Sequence, residues 1–543
     1  MAVVASASAV VAELQSSASA EAAPELALQV TDFAALPITG VVDGTGNNAG
    51  SLARINFMRE EPAPARRFFV NDLTGPLYIM DRATRKLTTY LDLNGRDRRT
   101  GLFGKLMVEV GLASGFISFQ FDPDYARNGK FYTLHLEELG APGTQHPDHA
   151  SVPGLTLEGY APTPPIAVPG PVSHEAVIVE WTDSRISDAT FQGTARELMR
   201  IQHNTRIHPT GDLIFNPLAR RGDPDWRVMY VACGDGGAGD QRSAIRTNGQ
   251  RLDTVVGKIL RIIPDLDEHK RTSSVSDNGR YRIPSDNPFA SLAGARKEVW
   301  AYGLRNPHRL SWDVDPGNSA NNHLIAANIG FRTWETVVII HKGANYGFPE
   351  REGIQRLLPD NSLDALPDVD AVPVHLSDVD VRGTIVPTYP VAQYGHGERG
   401  GDAIAGGFVY RGKAVPELRG KYILGDISTG RLWWASFDAM LAVDQGHPPR
   451  LAALHELRVL WDDPHDTPDA GRQLSPTMFG VVAAGYHARG GKAPALPGRS
   501  TLSPSGRVDL RLAVDRAGEL YLLTKSDGMI RAVRGAVRLP PSE

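Results

Sequence analysis

Short runs of apolar residues, separated by polar turns, dominate the chain from about residue 40 onward. Residues 68–70 and 77–80 bracket the turn 71–76, and residues 87–93 add a further run of the same kind. Runs of four to eight residues rich in β-branched and aromatic side chains, bounded by Gly, Pro, Asn and Asp, are typical of strands. This stretch therefore predicts most of one four-stranded antiparallel unit.

A strand that carries a tyrosine and then ends in a polar turn recurs along the chain. It occurs again at residues 130–138, 227–235, 421–430 and 518–528. Short strands with a loosely repeated phrase predict a β-propeller. The repeats are unevenly spaced, so we expect long inserted loops, above all at residues 139–172 and 355–390, where proline and aspartate are dense.

Helical periodicity is scarce, and only residues 195–201 and 436–443 fit short helices of about two turns. The first residues are rich in alanine, serine and valine and carry no positive charge near Met1, which is unlike a secretory signal peptide. The fold class predicted is all-β. We expect residues 1–40 to form a flexible arm and residues 41–543 to form a single β-propeller domain.

Charge and composition exclude several classes of protein. The net charge of −5 over 543 residues, with no Lys/Arg-rich run, argues against a nucleic-acid partner. No uninterrupted apolar stretch approaches the ~20 residues that span a membrane. The single cysteine, Cys233, excludes an intrachain disulfide framework, and its apolar strand predicts an inert buried thiol.

Residues 203–237 contain the candidate chemistry. His208 begins a bend before the apolar strand 213–215, and a second strand, 227–232, runs into a corner of glycine and aspartate at 234–237. This pattern predicts a hairpin whose exit brings backbone close to another group. A histidine there could serve as a base near neutral pH, or could be a hydrogen-bonded structural residue.

A metal site is a further alternative at the same place. Imidazoles suit zinc, copper or iron, so His135, His203 and His208 together could form a metal triad. Spacing alone does not select it.

Several phrases resemble, in the same order, those of the soluble quinoprotein glucose/sorbosone dehydrogenase family, and the similarity runs through roughly residues 60–535. They are FDPDYARNGKFY (121–132), HPTGDLIFNP (208–217), GDGGAGD (234–240), VVGKILRIIPD (255–265), IPSDNPF (283–289), EVWAYGLRNPHRLSWD (298–313), WETVVIIHKGANYGFPEREG (334–353) and GGFVYRGKAVPELRGKYILGD (406–426).

The resemblance implies a six-bladed β-propeller, related to that of hedgehog-interacting proteins, and an enzyme that oxidises an aldose or related sugar with pyrroloquinoline quinone (PQQ) and calcium. The partners implied are a small-molecule sugar and a diffusible electron acceptor. The location implied is periplasmic or secreted.

The resemblance also assigns roles to residues. His208 matches the catalytic base, and Arg305 with Asn306 matches the pair that holds the quinone. His308 stands where such enzymes commonly have glutamine and is assigned to the cofactor site. The main-chain carbonyls of Gly330 and Phe331 match those that bind calcium.

The chain also departs from the family pattern. Ser428 stands near the position of a quinone-contacting lysine, and Ala113 near that of a glutamine. The paired arginines of the last blade have no direct match, although Arg507 and Arg511 lie close in sequence. Three functions stay open: the PQQ-dependent sugar dehydrogenase, a metal-dependent non-redox lyase or hydrolase, and a non-catalytic binding propeller.

Overall fold

The structure is a computed structural model. It describes residues 25–40, 50–62, 64–97, 99–109, 113–315, 322–397, 400–462, 471–498 and 503–540.

Almost all of the regular structure is β, and most strands belong to antiparallel sheets of neighbours in sequence. Strand β1 (Leu26–Ala35) comes first along the chain. The first sheet contains β2 (Ile55–Glu60), β3 (Phe68–Asp72), β4 (Pro76–Met80) and β5 (Leu87–Asp92). The second contains β6 (Phe116–Phe121), β7 (Lys130–Glu138), β9 (His174–Asp183) and β10 (Gly193–His203), with β8 (Leu155–Thr156) on the edge of β10 and helix α1 (Tyr125–Asn128) after β6.

The third and fourth sheets carry the larger insertions. The third contains β11 (Thr210–Phe215), β12 (Met229–Cys233), β13 (Lys258–Ile262) and β16 (Val299–Tyr302), with a 3-10 helix (Ala244–Gly249) and the hairpin β14 (Ser273–Val275) and β15 (Arg282–Pro284) inserted. The fourth contains β17 (Asn306–Trp312), β18 (Leu324–Ile329), β19 (Trp334–Ile339) and β25 (Ala392–Gly395). Its insertion holds β20 (Arg351–Glu352), β21 (Gln355–Leu357), β22 (Leu363–Asp364), β23 (Val372–His375) and β24 (Val381–Ile385).

The last two groups of strands are joined through the N-terminal strand. One group contains β26 (Ile404–Val409), β27 (Lys421–Asp426), β28 (Leu432–Ser436), β29 (His455–Trp461) and β30 (Gln473–Ser475), with a 3-10 helix (Pro416–Leu418) and helices α2 (Phe437–Val443) and α3 (Phe479–Ala488). The other contains β31 (Leu510–Val514), β32 (Leu520–Thr524) and β33 (Met529–Arg538). β1 pairs antiparallel with β33 and parallel with β29.

The first strands of the six groups contact one another in a closed series. β2 contacts β6, β6 contacts β11, β11 contacts β17, β17 contacts β26, β26 contacts β31, and β31 contacts β2 again. The buried apolar side chains lie between neighbouring sheets. One cluster, for example, joins Leu77 and Tyr90 of the first sheet to Phe119 and Trp181 of the second. The first strands therefore surround a common axis.

The all-β prediction is confirmed, and so is the helix expected at residues 436–443. The helix expected at residues 195–201 is wrong, because these residues lie in β10, where they pair along their length with β9 and pack into two apolar clusters.

The expectation of a flexible arm through residue 40 needs a correction for Leu26–Ala35. This segment hydrogen-bonds to a strand on each side, and Leu26, Leu28 and Val30 are buried in the core. Residues 1–24 of the expected arm lie outside the described residues. No helix in the part of the chain that the structure describes is long and apolar enough to cross a membrane.

Candidate functional site

The site is built on the corner between β10, β11 and β12. His208 lies in the bend between β10 and β11 with a φ of 52°, and its carbonyl accepts a hydrogen bond from the Gly236 N–H at 3.0 Å. Gly237 also has a positive φ, 71°, and a Cβ at this position would lie 2.3 Å from the Thr205 hydroxyl oxygen. Only glycine fits this approach, so the glycine-rich corner holds the histidine bend in place.

Asp235 holds the imidazole of His208. The His208 Nδ1 lies 2.8 Å from Asp235 Oδ1, and the Asp235 carboxylate also accepts the backbone N–H groups of Gly237 and Gly239, each at 2.8 Å. A carboxylate oxygen accepts, so in the neutral form of the ring Nδ1 carries the proton and Nε2 keeps its lone pair. A histidine held in this tautomer is suited to accept a proton.

His208 lines a cavity of about 240 Å³ near the N-terminal ends of the first strands. Two other predicted residues, Asn306 and His308, line it as well. Its charged lining residues are Arg54, Arg507, Arg511, Lys525 and Asp509. Four basic side chains against one carboxylate make this cavity suited to a ligand with several negative charges.

Burial and mutual repulsion destabilise the charged forms of these basic side chains. Burial and Arg511 hold the pKa of Lys525 well below its usual range, and burial lowers the pKa of Arg511 to about 10. Burial alone would raise the pKa of Asp509, but Lys525 and Arg511 outweigh it and hold that pKa well below its usual value. An anionic ligand would relieve this repulsion.

His308 is a second imidazole in the same cavity. Burial, with Arg309 and Arg511 nearby, holds its pKa well below the usual range. Its Nε2 is buried, and the described residues offer this atom no hydrogen-bond partner. It is therefore a neutral ring with unused hydrogen-bonding capacity beside the cations.

Arg305 does not line this cavity with His208. Its guanidinium forms a two-point ion pair with Asp240, at 2.8 and 2.6 Å, and donates to the carbonyl of Gly330. It lines a smaller crevice with Phe331. The glycine-rich corner links Arg305 to His208, because the Asp235 N–H donates to the Arg305 carbonyl at 2.7 Å and the Asp235 carboxylate binds the His208 ring.

The predicted calcium position does not fit this geometry. The carbonyl of Gly330 is occupied by the Arg305 guanidinium, and the N–H of Phe331 donates to Glu352 at 3.1 Å. A calcium ion at the Gly330 carbonyl would lie against a buried positive charge. We assign no chemical step to calcium.

The alternative triad of His135, His203 and His208 does not form. Among the described residues, one group of three or more potential ligand side chains comes together, and it consists of His208, Asp235 and Asp240. Both carboxylate oxygens of Asp240 are already bonded to Arg305. This arrangement favours an ion-paired acid and base over a metal centre.

One segment of the chain matches a known protein family. Residues 173–356, which carry His208, Asp235 and Arg305, match the sequence profile of the family described as glucose/sorbosone dehydrogenase. The resemblance to this family is confirmed.

Individual proteins are also similar to the chain. HIPL1 protein of Arabidopsis thaliana is 28% identical over 333 residues, covering 59% of this chain and 43% of that protein. Aldose sugar dehydrogenase YliI of Escherichia coli is 29% identical over 166 residues, covering 31% of this chain and 34% of that protein. The match thus spans less than half the length of either relative.

A crystal structure of a glucose dehydrogenase shares the fold. It aligns with a TM-score of 0.50 at 18% identity and covers 89% of this chain and 97% of that one.

Sequence reasoning missed three charged residues of the cavity: Arg54, Asp509 and Lys525. Lys525 follows the strand in the last repeated phrase, 518–528, and Asp509 lies between the two arginines already noted. Arg54 lies just before β2, and no sequence motif marks it as a candidate site residue.

Proposed function

We propose that the protein is an oxidoreductase that oxidises an aldose or related sugar with PQQ, with His208 as the general base. The observation that carries the proposal is the His208–Asp235 pair at the edge of a cavity lined by Arg54, Arg507, Arg511 and Lys525. The relative named as an aldose sugar dehydrogenase adds support.

The cationic cavity suits PQQ because this cofactor carries three carboxyl groups. The lysine that the family places near Ser428 is missing, but Lys525 and Arg54 bring positive charge to the same cavity from other parts of the chain. His308 can add a hydrogen bond through its unpartnered Nε2. When bound, PQQ supplies the ortho-quinone that accepts hydride from the sugar.

The residues of the chain then have separate tasks. His208 Nε2 accepts the proton of the sugar hydroxyl as hydride leaves the adjacent carbon. Asp235 keeps Nδ1 protonated and stabilises the imidazolium that forms. Arg305 has a positioning role, because its guanidinium binds Asp240 and the Gly330 carbonyl beside the glycine-rich corner.

We also propose that the six groups of strands are the blades of a six-bladed β-propeller in a single domain. The closed series of contacts among first strands supports this architecture. β1 would close the ring by joining the last blade to the chain's N-terminal part, so the domain would begin before residue 41.

A diffusible electron acceptor and a location outside the cytoplasm belong to the same proposal. Both follow from the family resemblance. In this proposal the long inserted loops at residues 139–172 and 355–390 select the sugar.

The proposal is tested by adding PQQ to the purified protein, with and without calcium. PQQ binding is measured by equilibrium dialysis, and turnover by dye reduction with a panel of aldoses. His208→Asn should lower turnover by roughly 10²-fold or more while PQQ binding stays unchanged. His149→Asn, at an exposed position, is the matched control.

Two outcomes would contradict the proposal. One is a wild-type protein that does not bind PQQ, and sugar binding without PQQ would then favour a non-catalytic binding propeller. The other is full turnover by His208→Asn, which would exclude His208 as the general base.

A further inference from the structure

A second and larger cavity lies at the opposite ends of the same strands. Along β17, Asn306 and His308 line the His208 cavity, whereas Leu310 and Trp312 line the second one. Along β2, Asn56 belongs to the first cavity and Glu60 to the second. The second cavity has a volume of about 550 Å³, within the range of small-molecule sites.

The walls of this second cavity are strongly aromatic. The aromatic lining residues are Phe57, Phe121, Phe215, Trp226, Trp312 and Phe408. Such walls favour a ligand with an apolar or aromatic body.

Arg309 supplies a buried positive charge to this cavity. Its side chain is buried, donates to the His308 carbonyl at 2.9 Å and to Asn56 Oδ1 at 2.8 Å, and lies 4.0 Å from the centre of the Phe57 ring. It forms no ion pair with any carboxylate that the structure describes. Burial, with Arg511 adding repulsion, holds its pKa well below the usual range.

The carboxylates around the second cavity are already engaged elsewhere. Glu60 pairs with Arg66 at 2.6 Å and with Arg82 at 2.8 Å. Asp122 pairs with Arg227 at 2.8 Å.

The remaining acids are no more available. Asp515 accepts the backbone N–H groups of Ala517 and Glu519, each at 2.9 Å. Asp212, whose charge acts on Arg309, is bonded to Arg59 at 3.0 Å and to the Leu310 N–H at 3.0 Å. None of these acids lies in ion-pair contact with Arg309.

We propose that the Arg309 cavity, meaning this second cavity, binds a small carboxylic acid with an apolar or aromatic body, whose carboxylate pairs with Arg309. A buried guanidinium without a counter-ion is costly, and a planar carboxylate is the anion that it binds best. The site is separate from the His208 cavity and does not depend on sugar oxidation.

The test compares benzoate with benzamide, which has the same shape without the charge, by isothermal titration calorimetry. Benzoate should bind the wild-type protein roughly tenfold or more tightly than benzamide. Arg309→Met should abolish this preference, and Arg309→Lys should keep part of it. Arg516→Met, at an exposed position on the rim of the same cavity, should keep all of it.

Lys525→Met distinguishes the two cavities, because Lys525 lines only the His208 cavity of the pair. Retention of the benzoate preference in Lys525→Met supports the Arg309 cavity. Equal binding of benzoate and benzamide by the wild-type protein would overturn the proposal, and so would a preference that Lys525→Met loses and Arg309→Met keeps. If Arg309→Met does not fold, the benzoate preference is compared in the wild-type protein, Arg309→Lys and Lys525→Met. A preference that Arg309→Lys weakens and Lys525→Met keeps then supports the proposal, and the reverse overturns it.

Discussion

His208 adopts a left-handed backbone conformation that is uncommon outside glycine. Hydrogen bonds offset the conformational free energy of this backbone geometry, because the His208 carbonyl accepts the Gly236 N–H and the His208 ring binds Asp235. Strained residues of this kind concentrate at functional sites, where the strain helps to fix a side chain. The orientation of the His208 ring therefore depends on Asp235 as well as on the backbone conformation of His208.

Asp235→Asn should lower kcat by roughly 10²- to 10⁴-fold with little change in PQQ binding. An amide can donate to Nδ1 and so select the wrong tautomer, as in serine proteases. The measurement is steady-state dye reduction over a range of pH, with kcat and KM separated.

Asp360→Asn, in an exposed turn, is the control for this substitution. An Asp235→Asn protein with unchanged kcat and a raised KM would show that Asp235 does not position the base.

At the scale of elements, β1 is the strand that ties the N-terminal part of the chain to the last sheet. Its pairing with β33 and β29 puts Leu28 in a fully buried position, while Thr31 is only partly buried. Alternation along a strand makes these two side chains face different surroundings.

Leu28→Ala should lower the free energy of unfolding by about 2–5 kcal/mol, because it leaves a cavity between packed sheets. Thr31→Ala should lower the free energy of unfolding by much less. Urea denaturation followed by circular dichroism measures both, and equal effects would contradict a structural role for β1.

A stacked histidine pair links β9 to β10. The rings of His174 and His203 lie 5.1 Å apart at an angle of 14°. Burial lowers the pKa of His174 to about 4, and burial with the nearby His174 and His208 lowers that of His203 well below its usual range. Both rings are therefore neutral near pH 7.

Acid should destabilise the protein through this pair. An unfolded histidine titrates near 6.5, so the unfolded chain takes up protons first, and stability falls as the pH drops from about 6.5 towards 4. The loss from His174 alone should be about 2 kcal/mol between pH 7 and pH 5.

His174→Gln should reduce the difference between urea denaturation curves at pH 7 and pH 5, whereas His149→Gln should leave it unchanged. An undiminished difference in His174→Gln would place the pH sensitivity elsewhere.

At the scale of the whole molecule, residues from both ends of the chain meet in one cavity. Arg54 precedes the first sheet, and Lys525 follows β32 in the last one, yet both line the His208 cavity. The second cavity draws in the same way on β2, β17 and β31. Closure of the series of first strands thus creates both cavities at once.

The affinity for PQQ should fall as the pH rises through the lowered pKa of Lys525. A bound carboxylate favours charged Lys525, so binding takes up a proton wherever the free lysine is neutral. Lys525→Arg should flatten this dependence because guanidinium stays protonated over a wider range. Equilibrium dialysis between pH 6 and pH 9 is the measurement, and a pH-independent wild-type affinity would contradict it.

The sequence by itself determined many of the strands, the resemblance to the family and the histidine corner, because alternating burial, turn residues and close backbone contacts constrain residues near one another in the chain. Three residues singled out from the sequence, His208, Asn306 and His308, line one cavity in the structure. The tertiary structure alone decided that Arg305 turns to Asp240, that Leu26–Ala35 is a paired strand, and that Arg54, Asp509 and Lys525 join the site. These outcomes depend on charges and hydrogen bonds between residues tens to hundreds of positions apart, which no local pattern records.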